Sequence, residues 1–399
     1  MKRTNGIIWL FMVATLVSAA ILMGAVFLDY AEDIHDSLKK FNYILSVVEE
    51  RYPEELNAEK AIYSAIRGML RNLDPHSNFL DEKEFQDISE EHEGKFYGLG
   101  IQIAKRGEDK PLTVIAPIDN TPAKRAGLRA GDIISHIEGQ ETMGMSVQEA
   151  VKKLKGPKGT SVTITIKRIG IDEPLQFTIV RDEIPLESVT SAFIIKPGIG
   201  YIRITNFNQY TYRDFDAAFS NLESEGMERL ILDLRDNAGG LLDQGVLVAS
   251  RFIGTGKMVV FTKGRIISSS QEFYSEGGVP HETIPLIILV DRGTASAAEI
   301  VSGAVQDHDR GLIVGETTFG KGLVQKSYSL NGNTGLLLTT ARYYTPSGRL
   351  IQRDYSSLED YFLSEDLGYE ERPDQTGREI RHTDSGRTVH GGGGITPDI

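Results

Sequence analysis

The chain has 399 residues, enough for two or three domains with a buried core, and 40% hydrophobic against 25% charged content excludes wholesale disorder. Its 56 Asp+Glu outweigh 43 Lys+Arg, and a formal net charge of −13 argues against a nucleic-acid partner. The absence of cysteine excludes disulfides, thiol catalysis and Cys-based zinc sites.

Lys2 and Arg3 precede an uncharged stretch from Ile7 to Leu28, broken only by Thr15, Ser18 and Gly24. As a helix it would span roughly 30 Å of hydrocarbon. Asp29, Glu32 and Asp33 follow it, so the positive-inside rule makes residues 1–6 a cytoplasmic tip and 7–28 a transmembrane anchor, with the remainder extracytoplasmic. Cleavage after Ser18-Ala19-Ala20 would instead make 7–28 a signal and the protein secreted. The apolar run continues from Ile21 to Leu28, which favours the anchor.

Residues 29–93 read as helical. Leu38, Phe41, Ile44, Leu45, Val48 and Tyr52 form one amphipathic pattern that Pro53 stops, and a second helix is expected from about Ala58 to Leu73. Residues 29–95 hold 17 acids and 8 bases, which reads as a solvated helical face rather than an acidic binding surface. From 94 to 182 the texture turns to short alternating strands: Ile101–Ile103, Leu112–Ile115, Ile133–Ile134, Ser161–Lys167 and Leu175–Val180, with one helix from Ser146 to Leu154. From 183 to 399 strands alternate with helices, which implies an α/β layer structure. The strands include Gly200–Ile204, Leu230–Leu234, Met258–Thr262 and the apolar Ile284–Val290; the helices include Tyr212–Ser224, Leu241–Phe252 and Ser296–Gln306. Residues 355–394 are polar and end in Gly391–Gly394, so a mobile loop is expected there.

Three segments carry chemistry. Gly98-Leu99-Gly100-Ile101 is a glycine-flanked loop entering a strand, a nest suited to a C-terminal carboxylate beside a strand edge that can pair with an extended peptide. With the Gly127–Asp132 turn and the Ser146–Leu154 helix in that order, it resembles a PDZ domain. Ser296 sits among small residues at a strand-to-helix junction, where a hydroxyl is exposed beside helix N-terminal N–H groups, although serine is also a common N-cap. Lys321 lies between Gly320 and Gly322 just after an apolar strand; a desolvated lysine loses its proton and can deprotonate a serine, whereas a surface-loop lysine cannot. Gln325 could orient that amine without adding charge. Asp233 to Gly240 follows a buried strand, and the Gly239-Gly240 turn could supply half of an oxyanion hole, with the Ala297 N–H as the other half.

Taken together, these segments resemble the carboxyl-terminal processing (tail-specific) proteases over nearly the whole chain, with Leu73-Asp74-Pro75-His76-Ser77 resembling the family's segment before its PDZ domain. The resemblance implies a layered α/β core of the crotonase/ClpP-like kind with an inserted β-rich PDZ domain and a helical N-terminal segment. It implies Ser296 as nucleophile, Lys321 as general base and Gln325 as its support, with Asp307 as an auxiliary acid in some members. The PDZ domain would bind apolar substrate C-termini at Gly98–Ile101 and the Val147, Val151 and Leu154 helix face, and gate the site. No metal or organic cofactor is implied. The partners are proteins or peptides with free apolar C-termini and the membrane, and a homo-oligomer is compatible with the pattern.

Two departures stand out. Lys155 precedes Gly156 where many relatives have Arg, and a lysine cannot reproduce the bidentate contacts of an Arg-based switch. Relatives usually run past Gly394–Ile399, so the sequence is expected to be a fragment or a natural short form. The competing readings are a non-catalytic PDZ adaptor on a protease-like scaffold, which the intact Ser296, Lys321 and Gln325 set opposes, and an acyl-CoA hydratase-like enzyme, which the PDZ unit and anchor oppose.

Overall fold

A computed structural model describes residues 34–107, 109–276, 283–358, 361 and 378–399. The expected anchor or signal at 7–28 lies outside the described residues, as does most of the stretch between 359 and 377. Among the described residues no helix is long and apolar enough to cross a membrane. The chain divides into two units at Leu73.

The first unit carries helix α1 (34–51) and helix α2 (Ala58–Leu70). Asn57 caps α2 by accepting from the Lys60 N–H at 2.9 Å, which satisfies one of the helix's orphan donors.

The second unit begins with Asp74, so the expected helical stretch 29–93 is interrupted. Asp74 Oδ1 accepts from the N–H groups of His76 (2.9 Å) and Ser77 (2.8 Å), a turn that competes with helix. Strand β1 (Asn78–Leu80) follows, then helix α3 (Glu82–Glu93), which starts with an Asp81/Glu84 capping box.

Strand β2 (Lys95–Gly98) pairs antiparallel with β9 (Asp182–Pro185), so the chain enters and leaves the next unit side by side. Between them lie β3 (Ile101–Ala104), β4 (Thr113–Pro117), α4 (Pro122–Arg125), β5 (Ile133–Ile137), β6 (Gln140–Glu141), α5 (Val147–Leu154), β7 (Ser161–Lys167) and β8 (Leu175–Val180). The sheet runs β3-β4-β5-β7-β8, with β6 on β5. The period-two pattern of β7 buries Val162, Ile164 and Ile166 against Val114, Ile134, Ala150 and Leu154. Asp132, buried in the turn before β5, is held by Arg168 through Nε–Oδ1 (2.7 Å) and Nη2–Oδ2 (2.8 Å). Arg168→Ala strands that carboxylate and is expected to destabilise this unit by about 3–5 kcal/mol, read as a lowered urea midpoint; an unchanged midpoint would show that the pair contributes nothing net.

The remaining chain builds two sheets with helices packed between and against them. The first runs β10 (Val189–Lys196), β11 (Ile199–Ile204), β12 (Arg229–Asp233), β15 (Leu286–Val290), β16 (Leu312–Gly315). Strand β10 pairs antiparallel with β11; the other neighbours are parallel. The second sheet runs β1, β18 (Gly335–Tyr344), β13 (Met258–Gly264), β14 (Glu272–Tyr274), with β17 (Leu323–Ser329) also paired to β18. Helices α6 (Thr211–Ser224), α7 (Leu242–Ser250) and α8 (Ala297–Asp307) bury one face of the first sheet, where Ile202, Leu230, Leu232, Ile288 and Ile313 point inward. Helix α8 also packs on β13. Phe215, Phe219 and Phe252 meet edge-on or tilted at 5.9–6.3 Å, a geometry worth about 0.5–1.5 kcal/mol per pair beyond area burial.

Parallel strands share one direction, so the loops after β12, β15 and β16 gather at their carboxyl ends, where α/β proteins place their sites.

The stretch expected to be mobile is ordered at its end. Strands β19 (Ile380–His382) and β20 (Thr388–His390) form a hairpin, and Gly391, Gly393 and Gly394 are buried. The glycine run serves close packing: Gly394 has φ 81°, and a Cβ there would lie 2.3 Å from the Thr318 carbonyl oxygen.

Candidate active site

The loop after β12 and the loop after β15 are knitted together. Thr294 Oγ1 donates to the Leu234 carbonyl at 2.8 Å, the Ala295 N–H donates to the Asn237 carbonyl at 2.8 Å, and the Asp236 N–H donates to Asp291 Oδ1 at 2.9 Å. Asp236 needs φ 59°, a left-handed conformation that Asp tolerates. Asp233 ends β12 fully buried; burial opposes its charge, but Arg235 and the Tyr201 hydroxyl (2.6 Å) hold its carboxyl below the usual range.

Ser296 precedes the first residue of α8 with φ 55° and ψ −117°, a strained conformation for a side chain with a Cβ. Its neighbours explain why glycine is required opposite: a Cβ on Gly239 would lie 2.6 Å from the Ser296 Cβ and 2.9 Å from the Ala297 nitrogen. Of the three expected oxyanion donors, Gly239 lies against Ala297, whereas Gly240 packs on the Phe207 backbone. The Gly239 N–H already donates to Asn237 Oδ1 at 2.9 Å, and Asn237 is itself fixed by donating from Nδ2 to the Ile204 carbonyl. The N–H groups of Gly240 and Ala297 have no acceptor among the described residues.

Lys321 lies in the loop after β16, and burial pushes its amine below the ordinary lysine value, against the opposing charges of Glu299, Asp74 and Glu91. The link between Lys321 and Ser296 is a residue the sequence reading passed over. Glu299, fully buried on α8, accepts at Oε2 from the N–H of Ser296 (2.9 Å) and of Lys321 (2.9 Å). At Oε1 it accepts from Thr318 Oγ1 (2.5 Å) and the Gly320 N–H (2.8 Å). The two catalytic candidates thus hang by their backbones from a single oxygen. Burial raises the Glu299 carboxyl, and the four donors oppose that rise. The detectable signal was a glutamate inside an otherwise wholly buried helix. No hydrogen bond joins Ser296 Oγ to Lys321 Nζ among the described residues, and catalytic hydrogen bonds commonly tighten only when substrate is bound.

Gln325 is on β17 near this site, but its Nε2 donates to the His76 carbonyl at 2.7 Å rather than meeting Lys321. The Asp74–Ser77 turn is therefore part of the site: burial, then the Lys321 charge, lowers the His76 imidazole to about 4, and His92 at the end of α3 is lowered likewise. Asp307 sits at the opposite end of α8, roughly 16 Å along the helix from Ser296. Its carboxylate is taken by Arg349 Nη2 at 2.6 Å, both side chains being 1% exposed, so it braces the fold and faces no reacting group. Lys155 pairs with Glu90 of α3 at 2.5 Å and lies over the Phe96 ring at 4.8 Å, a single-point contact rather than a bidentate one.

In the small β unit, the N–H groups of Leu99 and Gly100 have no acceptor among the described residues, and β3 is an edge strand of its sheet. Ile101, Val147 and Val151 are half-buried, whereas Leu99 and Leu154 belong to the core of this unit.

Comparison with known proteins gives two family matches: peptidase family S41 over residues 198–357 and a PDZ domain over residues 113–168. The carboxy-terminal-processing protease of Bartonella bacilliformis is 39% identical over 348 residues, covering 86% of this chain and 79% of that protein. The carboxyl-terminal-processing protease of Synechocystis sp. is 36% identical over 312 residues, covering 77% and 72%. The solved photosystem II D1 C-terminal processing protease is 31% identical, covering 77% of this chain and 83% of that one, with a TM-score of 0.42.

Proposed function

Since this chain belongs to peptidase family S41 and is a serine-type endopeptidase of the C-terminal processing kind, we propose that it binds the free apolar C-termini of extracytoplasmic proteins through its PDZ domain and cuts near them by a Ser296–Lys321 mechanism. The observation that carries this reading is the shared Glu299 oxygen, which holds Ser296 beside a lysine whose amine burial has made less basic.

Ser296 Oγ attacks the scissile carbonyl carbon and its proton passes to Lys321 Nζ. The carbonyl oxygen becomes an oxyanion and accepts from the N–H groups of Ala297 and Gly240, the Gly239 N–H being spoken for by Asn237. The C–N bond breaks, Lys321 returns the proton to the leaving amine, and an acyl ester remains on Ser296. Water then attacks that ester, Lys321 takes its proton, and Ser296 leaves protonated with the new carboxyl terminus free. Gln325 supports the lysine indirectly, by fixing the His76 segment beside it.

The Leu99 and Gly100 N–H groups suit a substrate carboxylate, the β3 edge suits its backbone, and Ile101, Val147 and Val151 suit an apolar last side chain. The charge pattern of residues 1–33 supports a membrane anchor, or a cleaved signal, that delivers this machinery outside the cytoplasm.

The test is a peptide with a free apolar C-terminus and the same peptide amidated, with products identified by mass. Amidation is expected to raise KM roughly tenfold or more while kcat changes little. Equal cleavage of both peptides would remove carboxylate recognition from the proposal.

A further inference from the structure

Tyr361 is fully buried, and it is buried against the catalytic loop. The loop's own flanks are tied to the chain that leads to it: the Gly322 N–H donates to Gln352 Oε1 at 2.8 Å, and the Arg353 N–H donates to the Gly320 carbonyl at 2.8 Å. Both residues bracketing Lys321 are thus held by residues 352 and 353. Eight residues later Tyr361 returns to the same loop. Its ring meets the Phe319 ring edge-on at 5.3 Å and 85°, and the His76 ring at 5.6 Å and 73°. Its hydroxyl lies 2.7 Å from His76 Nε2, and Arg353 sits over both the Phe319 and Tyr361 rings at 4.6 and 5.8 Å. On its other side, His76 receives Gln325 through its carbonyl.

We propose that Tyr361 is a positioning residue for Lys321: its ring closes the lysine's pocket to water and, through Phe319 and His76, holds the loop and Gln325 in place. The inference rests on the Ser296–Lys321 reading above. Tyr361 touches no reacting atom in this scheme. Its role is to keep the amine dry, because a dry amine gives up its proton and a wet one keeps it. Phe319, against which the Tyr361 ring packs, is two residues before Lys321, so the phenol ring lies against the loop that carries the amine.

The experiment measures the pH dependence of Lys321 modification by an amine-reactive reagent, read by peptide mass spectrometry on the full chain, beside kcat and KM for a C-terminal peptide. Tyr361→Ala is expected to raise the labelling midpoint by about one pH unit or more toward the free-lysine value, and to lower kcat about tenfold with KM nearly unchanged. Tyr361→Phe keeps the ring and is expected to keep the wild-type midpoint. An unmoved midpoint in Tyr361→Ala overturns the proposal even if kcat falls, because loss of fold alone lowers activity without retuning the amine. A Tyr361→Phe midpoint displaced as far as that of the alanine variant overturns the assignment to the ring. Should Tyr361→Ala not fold, Tyr361→Leu carries the same comparison with an apolar side chain. Labelling requires no turnover, so cleavage surviving in Lys321→Ala would defeat the Ser–Lys mechanism separately, leaving the Tyr361 comparison to be decided on its own.

Discussion

Ser296→Ala and Lys321→Ala are each expected to reduce peptide cleavage by on the order of 10⁴-fold or more, with peptide binding at the PDZ groove unchanged. Removing the serine removes the only bond the protein makes to the acyl carbon. Removing the lysine leaves a hydroxyl with no acceptor for its proton at neutral pH. Lys321→Arg should fail as completely, since a guanidinium stays protonated and cannot act as base. The pH profile follows from the same burial. Activity needs the neutral amine, and desolvation lowers the Lys321 pKa below the ordinary lysine value, so cleavage should rise with pH through a midpoint below that of a free lysine. Product formation measured by mass spectrometry over pH, alongside fluorescence titration with a non-cleaved C-terminal peptide, checks both halves. Substantial turnover in Ser296→Ala would refute the mechanism.

The second large effect belongs to Glu299. Its two carboxylate oxygens collect four donors from three places: the Ser296 N–H, the Thr318 hydroxyl, and the N–H groups of Gly320 and Lys321. Glu299→Gln keeps the shape but replaces one acceptor with an NH₂, which faces donors it cannot satisfy. Each buried donor left unpaired costs about 1–3 kcal/mol, so a loss of about 3–5 kcal/mol is expected in urea unfolding. Activity measured well below the unfolding transition should still fall roughly 100-fold, because Ser296 and Lys321 lose their common anchor. If folded Glu299→Gln cleaves like the wild type, the shared oxygen is not what sets the catalytic geometry.

The layered α/β core was legible because its strands are apolar runs and its helices carry one-sided stripes: Leu230–Leu234 overlaps β12, Ile284–Val290 contains β15, and Ser296 sits at the expected strand-to-helix junction. What stayed hidden were partnerships across the chain. Glu299 reads as one more helical residue until residues 318–321 are folded over it. The resemblance gives Gln325 to Lys321 as its support, yet on β17 its side chain reaches His76, 249 residues away. Gly239 and Gly240 are equal in the sequence, and only the Asn237 side chain distinguishes their N–H groups. Gly391–Gly394 looked like flexible chain because composition cannot separate glycine that moves from glycine that lets two backbones touch.

The contact between that glycine run and Thr318 has a consequence for biosynthesis. Thr318 donates its N–H to the Ile395 carbonyl at 3.1 Å and accepts at Oγ1 from the Ile395 N–H at 2.7 Å, while the same hydroxyl donates to Glu299. The support beneath Lys321 is therefore supplied by residues translated more than seventy positions after it. A chain emerging from the ribosome carries the PDZ fold, the serine and the lysine well before it carries Ile395. Proteolytic competence comes late in synthesis, and a polypeptide interrupted before Ile395 would lack the brace that completes its cutting site.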